Sequence, residues 1–126
     1  MKYHLSQDKN DADLYIIEFH KGWTWNDWYP AFADIYKMIA QVDHRVDLVI
    51  AFYSLLPAGN AIPHLKYAGE KQPPNTRHTI MVNRAGAILP LMVQNIVGVM
   101  DWEGPTWADD IDHAQRILAQ KRIDMP

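Results

Sequence analysis

Val46-Asp47-Leu48-Val49-Ile50-Ala51-Phe52 is the stretch that most narrows what this chain can become. It is apolar almost without interruption, so it has no polar face to turn to water and reads as a strand covered on both sides. Such strands belong to parallel sheets, whose neighbours must be joined by long crossovers, usually helical. The segments around it supply suitable material. Leu14-Tyr15-Ile16-Ile17-Glu18-Phe19 is β-branched and aromatic, and Lys2 to Ser6 is a weaker strand that Asp8-Lys9-Asn10-Asp11 turns back as a hairpin. His78-Thr79-Ile80-Met81-Val82 is a further core strand, and Trp107 marks a short last one.

Between the strands the apolar period changes to that of a helix. Trp28, Phe32, Ile35, Ile39 and Val42 recur in steps of four and three. Asn26 or Asp27 as the cap leaves Pro30 in the first turn, where a missing N–H costs little; Thr24 would push Pro30 deeper. A second helix is expected from Asn60, with Pro63 in its first turn and Ile62, Leu65 and Ala68 inward, ended by Pro73-Pro74. Gly86 to Met100 reads as a third. Asp109 or Asp110 caps a last one bearing Ile111, Ala114, Ile117 and Leu118. The alternation predicts one α/β domain over residues 1–126. Its sheet is small and mostly parallel, of four to five strands with an antiparallel N-terminal hairpin strand, covered by about four helices.

Composition removes several classes of function. A net charge of −3 without a Lys/Arg run gives no footprint for nucleic acid or an anionic membrane surface. The absence of cysteine excludes disulfides, thiolate-held zinc, iron–sulfur clusters and thiol catalysis. The most apolar stretch, Ala85 to Met100, is broken by Pro90, Gln94, Asn95 and Gly98 and falls short of the roughly 20 residues of a membrane span. The first ten residues hold no apolar signal-peptide core, so a cytoplasmic location is expected. His4, His20, His44, His64, His78 and His113 show no i, i+2 or i, i+4 pair, so no metal site is expected. Ser6 and Ser54 lie in no nucleophile elbow, and no Gly-rich phosphate loop is present. No catalytic residue and no cofactor follow from the sequence.

The deduced order of elements resembles the STAS domain of bacterial anti-sigma-factor antagonists and sulfate-transporter tails, over nearly the whole chain. Val46 to Phe52 stands where that family has its central strand. Leu56-Pro57-Ala58-Gly59 stands where it carries an Asp-Ser-Ser-Gly signature, and Thr106 to Ala114 is similar to its last strand running into its last helix. The family's phosphorylated serine falls on Ala58 and its aspartate on Leu56, so a phosphorylation switch is not expected here. The resemblance implies a non-catalytic binding or regulatory module acting through protein contacts or a small ligand. It also implies a strand-order reversal between the strands ending at Phe19 and Val82, where ligands of open α/β sheets bind.

Candidate ligand residues follow from that edge. Lys21, Tyr53, Ser54, Asn60, Asn83 and Arg84 lie in loops where helix N-termini favour an anionic group. The alternative is that these loops only cap helices. Trp23 and Trp25 precede the first helix and could stack on a flat ligand or anchor a partner, or else pack as part of the loop. A small enzyme or anion-binding protein using Lys21, Tyr53, Asn83 and Arg84 is the rival reading. The Gly86–Met100 helix is apolar nearly all round, with Leu89, Val93 and Ile96 on one stripe and Met92 and Val99 on another. Two such stripes point to a homodimer interface, or to burial beneath the last helix.

Overall fold

The computed structural model of the chain describes residues 2–84 and 106–126. At its centre is strand β3 (Val46–Phe52), every residue of which is buried. The pleat sends Val46, Leu48, Ile50 and Phe52 into one hydrophobic cluster, and Val49 and Ala51 into another on the opposite face. Around β3 stand β1 (Tyr3–Gln7), β2 (Leu14–Phe19), β4 (Thr76–Asn83) and β5 (Thr106–Ala108), in a five-stranded sheet ordered β1-β2-β3-β4-β5. β1 pairs antiparallel with β2 through the hairpin, and every other pairing is parallel.

This strand order contains no reversal. β3 lies between β2 and β4, so the expected crevice between the strands ending at Phe19 and Val82 is not formed. Each connection steps one strand further in the same direction, and crossovers of one hand advancing one way deliver their helices to one face. Helix α1 (Trp25–Ala40) and helix α2 (Ile62–Glu70) accordingly share a single cluster. Helix α3 (Ile111–Asp124) follows the last strand and covers the other face with Ala114 and Leu118. Three helices are therefore described. The expected helix from Gly86 to Met100, and with it Leu89, Met92, Val93, Ile96 and Val99, lies outside the described residues.

Helix α1 buries Trp28, Phe32, Ile35 and Ile39, as its period requires, and adds Trp25, Ala31 and Tyr36. Its cap is Thr24 rather than Asn26 or Asp27. The Asp27 carboxylate accepts the Thr24 N–H at 2.8 Å, which satisfies a backbone donor at the helix entry. Pro30 then sits in the second turn and offers no N–H to the Asn26 carbonyl. Asn26 and Pro30 both lie on the exposed side of the helix, so that carbonyl is open to solvent. Helix α2 starts two residues later than expected, with Ala61 at the cap position and the Asn60 side chain accepting the Ile62 N–H at 3.2 Å. Helix α3 is capped by Asp110, which accepts the His113 N–H at 2.7 Å.

Candidate functional site

The loops after β2, β3 and β5, with Arg84 after β4, gather along the C-terminal edge of the parallel strands. The loop after β2 turns at Gly22, whose φ of +90° is a conformation that side-chain-bearing residues rarely adopt. Lys21 is exposed on this turn. Trp23 and Trp25, however, fold inward and are only 4% and 9% exposed. Trp23 packs against Phe19 with ring centroids 4.5 Å apart, and Trp25 meets Trp23 edge to face at 5.1 Å. Trp28, Phe32 and Phe52 complete this aromatic core. A stacking platform needs an open ring face, and neither tryptophan presents one. Their indole N–H groups are buried without a partner, a cost that ring packing must offset.

His64 joins this cluster from α2. Its ring stacks on Trp25 at 4.4 Å, and its Nδ1 lies 2.5 Å from the Tyr29 hydroxyl. Its carbonyl accepts the Trp28 indole N–H at 2.8 Å. These contacts tie α2 to α1 and make His64 a packing residue.

The opposite side of the same edge is more polar. Glu18, the one charged residue of β2, points to the α3 face because Leu14 and Ile16, four and two residues before it, do so. Tyr53, directly after β3, donates its hydroxyl to Glu18 Oε2 at 2.8 Å. The His20 ring stacks on Tyr53 at 5.0 Å and 7°. Burial, then the bond to Glu18 and its negative charge, push the Tyr53 hydroxyl up to about 12, while Arg84 pulls the other way. Near neutral pH this phenol is therefore a donor already committed to a carboxylate, unable to accept a proton from a substrate.

Of the expected residues, Tyr53, Asn83 and Arg84 are brought together. Asn83 closes β4 in register with Phe52, and Arg84 follows it on the surface, close enough for its charge to act on Tyr53. Lys21 lies in the loop after β2, which is two strands from β4, on the order of 10 Å between strand axes. Ser54 is half-buried beside Tyr53, and Asn60 serves α2 as described above. Glu18 and His20 belong to the cluster but were not among the candidates. A single charge inside an otherwise apolar strand was the signal that marked Glu18.

Between β3 and α2 the chain runs as an irregular loop with Leu55 69% exposed, and Ile62, the first residue of α2, is 40% exposed. Ala58 and Gly59 are exposed at its tip, with Gly59 at a φ of +111°. Among the described residues, no three His, Asp or Glu side chains gather as metal ligands. No described helix is long and apolar enough to cross a membrane. Comparison of the chain with protein-family models, curated proteins and solved structures gives no match.

The densest charge network lies at the other edge. Asp47 is fully buried on the α3 face at the start of β3. It accepts from Arg77 Nε at 3.1 Å and Nη2 at 2.8 Å, from the His78 N–H at 3.0 Å and from Arg122 Nε at 2.6 Å. Burial alone would raise its pKa. The two guanidinium groups outweigh that effect and hold the carboxyl below the usual carboxylate range. Arg122 also binds Asp11 at 2.7 Å, fastening the end of α3 to the β1–β2 turn. With every carboxylate oxygen of Asp47 engaged, this is a clamp, and it leaves no acceptor for a ligand.

Proposed function

We propose that the chain is a non-catalytic binding or regulatory module of STAS-like type, acting through protein contacts made by the loop from Tyr53 to Ile62. The observation that carries this reading is the exposure of that loop. Leu55, just after the central strand, and Ile62, at the start of α2, hold apolar side chains in solvent on either side of the segment where the STAS signature stands in the family this chain resembles. Exposed apolar residues clustered on one loop are the usual mark of a contact surface. Ala58 at the tip offers no hydroxyl, so the contact is constitutive rather than switched by phosphate.

The rival reading, a small-molecule or anion site at the same edge, draws its support from Arg84 beside the Tyr53–Glu18 pair. An anion there would meet one guanidinium but also the Glu18 carboxylate, which opposes it. Protein contact is therefore the better account.

Quantitative co-purification from native cells tests the proposal. Wild type should retain a partner that a Leu55→Asp/Ile62→Asp variant, folded by circular dichroism, loses. Identical partner sets for the two proteins would remove the loop from any role in binding. A small molecule that travels with both, and is lost on Arg84→Ala, would favour the rival.

A further inference from the structure

We infer that two copies of this chain associate edge to edge through β1, forming a continuous ten-stranded sheet about a twofold axis at Leu5. Among the described residues β1 is an end strand, paired with β2 alone. In its register with β2, the Lys2 carbonyl accepts the His20 N–H at 2.8 Å and the Asp8 N–H donates to the Leu14 carbonyl at 3.0 Å. Hydrogen-bonded residues alternate along an antiparallel strand, so Lys2, His4, Ser6 and Asp8 bond inward to β2. The N–H and C=O groups of Tyr3, Leu5 and Gln7 therefore point out of the sheet.

An open edge of this kind is normally blunted by a charge, a proline or a bulge. Tyr3 to Gln7 contain no charge and no proline, and their pairing with β2 runs without a register shift. The ends of the strand, by contrast, are charged and of opposite sign. Antiparallel pairing of two copies centred on Leu5 sets Tyr3 against Gln7 and Leu5 against Leu5, so all three outward residues pair. About six interchain hydrogen bonds result. The same register places Lys2 opposite Asp8 at both ends, on the α3 face. Shifting the centre to His4 loses that complementarity and opposes two histidines. The charge pattern thus fits a second copy of this chain in one register.

Two measurements test this. Sedimentation at micromolar concentration should show a dimer. Leu5→Pro, which removes an outward N–H and leaves the bonds to β2 intact, should give a folded monomer. Because the chain has no cysteine, a disulfide can report the register directly. His4 and Ser6 of opposite copies would form a non-hydrogen-bonded pair about 4.5 Å apart between Cα atoms, within disulfide reach. His4→Cys/Ser6→Cys should therefore oxidise to a covalent dimer, and His4→Cys alone should not. If Leu5→Pro fails to fold, the cysteine pair still decides. A monomeric wild type, or a dimer in which the double variant does not cross-link, overturns the proposal.

Discussion

The two ends of the parallel strands use polar residues in opposite ways. At the N-terminal end, Asp47 is buried and saturated by Arg77, Arg122 and the His78 N–H, and Arg122 goes on to Asp11. Four separate segments are locked together there. At the C-terminal end, no ion pair joins two elements among the described residues, and elements are tied there by the phenol-to-carboxylate bond of Tyr53 and Glu18 and by the bonds of His64 to Trp28 and Tyr29. The apolar side chains there divide into a sealed tryptophan core and an exposed loop. Charge concentrated at one end holds the fold, which frees the other end to vary its loops.

The sharpest way to break this contrast is to show that the C-terminal end also carries stability. Trp23→Ala should do so, because the ring is core. A loss of about 3–5 kcal/mol is expected in denaturant titration. An unchanged midpoint would return Trp23 to the list of surface anchors. Asp47→Ala should lower stability by about 3 kcal/mol, since it strands two guanidinium groups whose partner was buried. Its pH signature has a definite sign. The folded pKa is lowered, so the clamp's contribution is present above the ordinary carboxylate range and disappears as pH falls through the lowered value. The alanine variant should lack that part of the acid limb.

Tyr53→Phe should cost about 1 kcal/mol, the worth of one partly solvated hydrogen bond. Absorbance titration of wild type should show one phenol ionising near 12, and Glu18→Gln should bring it down. A smaller effect is expected at the exposed His44, which lies 2.7 Å from Asp13. Bonds to Asp43 and Asp13 raise its pKa, so its contribution is present in acid and fades as pH rises through the raised value. His44→Ala should flatten stability over that window. Leu55→Asp should change stability least, within about 0.5 kcal/mol, because the side chain packs against little. A larger loss would mean that the loop belongs to the core.

Local pattern was enough for the central strand and for the buried stripe of α1, where Trp28, Phe32, Ile35 and Ile39 all turn inward. It also placed the hairpin and the short strand at Trp107, and narrowed the last cap to Asp109 or Asp110, of which the helix uses Asp110. Each depends on residues within a few positions. Strand order does not, because it is decided by which crossover steps which way, and the reversal expected from the STAS resemblance is absent from the sheet. The α1 cap was misplaced because the cost of Pro30 was weighed without the Thr24–Asp27 bond and the burial of Trp25 that accompanies it. Asp47 has no local signal for its role within its apolar run. Its partners lie 30 and 75 residues further on, beyond the reach of any periodicity. At the candidate edge, Tyr53 and Arg84 were legible from their place after strands, whereas the inward turn of Trp23 and Trp25 depended on the space left beside Phe19 and Phe52.

The clamp at Arg122 also sets an order of assembly. Its bond to Asp11 joins residues 111 positions apart, while β1 to β4 and the first two helices find their neighbours in the order in which they leave the ribosome. Helix α3 can dock only after residues 111–124 have been made. Until then Leu14, Ile16, Val49 and Ala51 lack the cover that Ala114 and Leu118 give them, and apolar surface left open in this way is what chaperones hold. Truncation ahead of Arg122 should therefore be felt less at the helix itself than in the fate of the newborn protein.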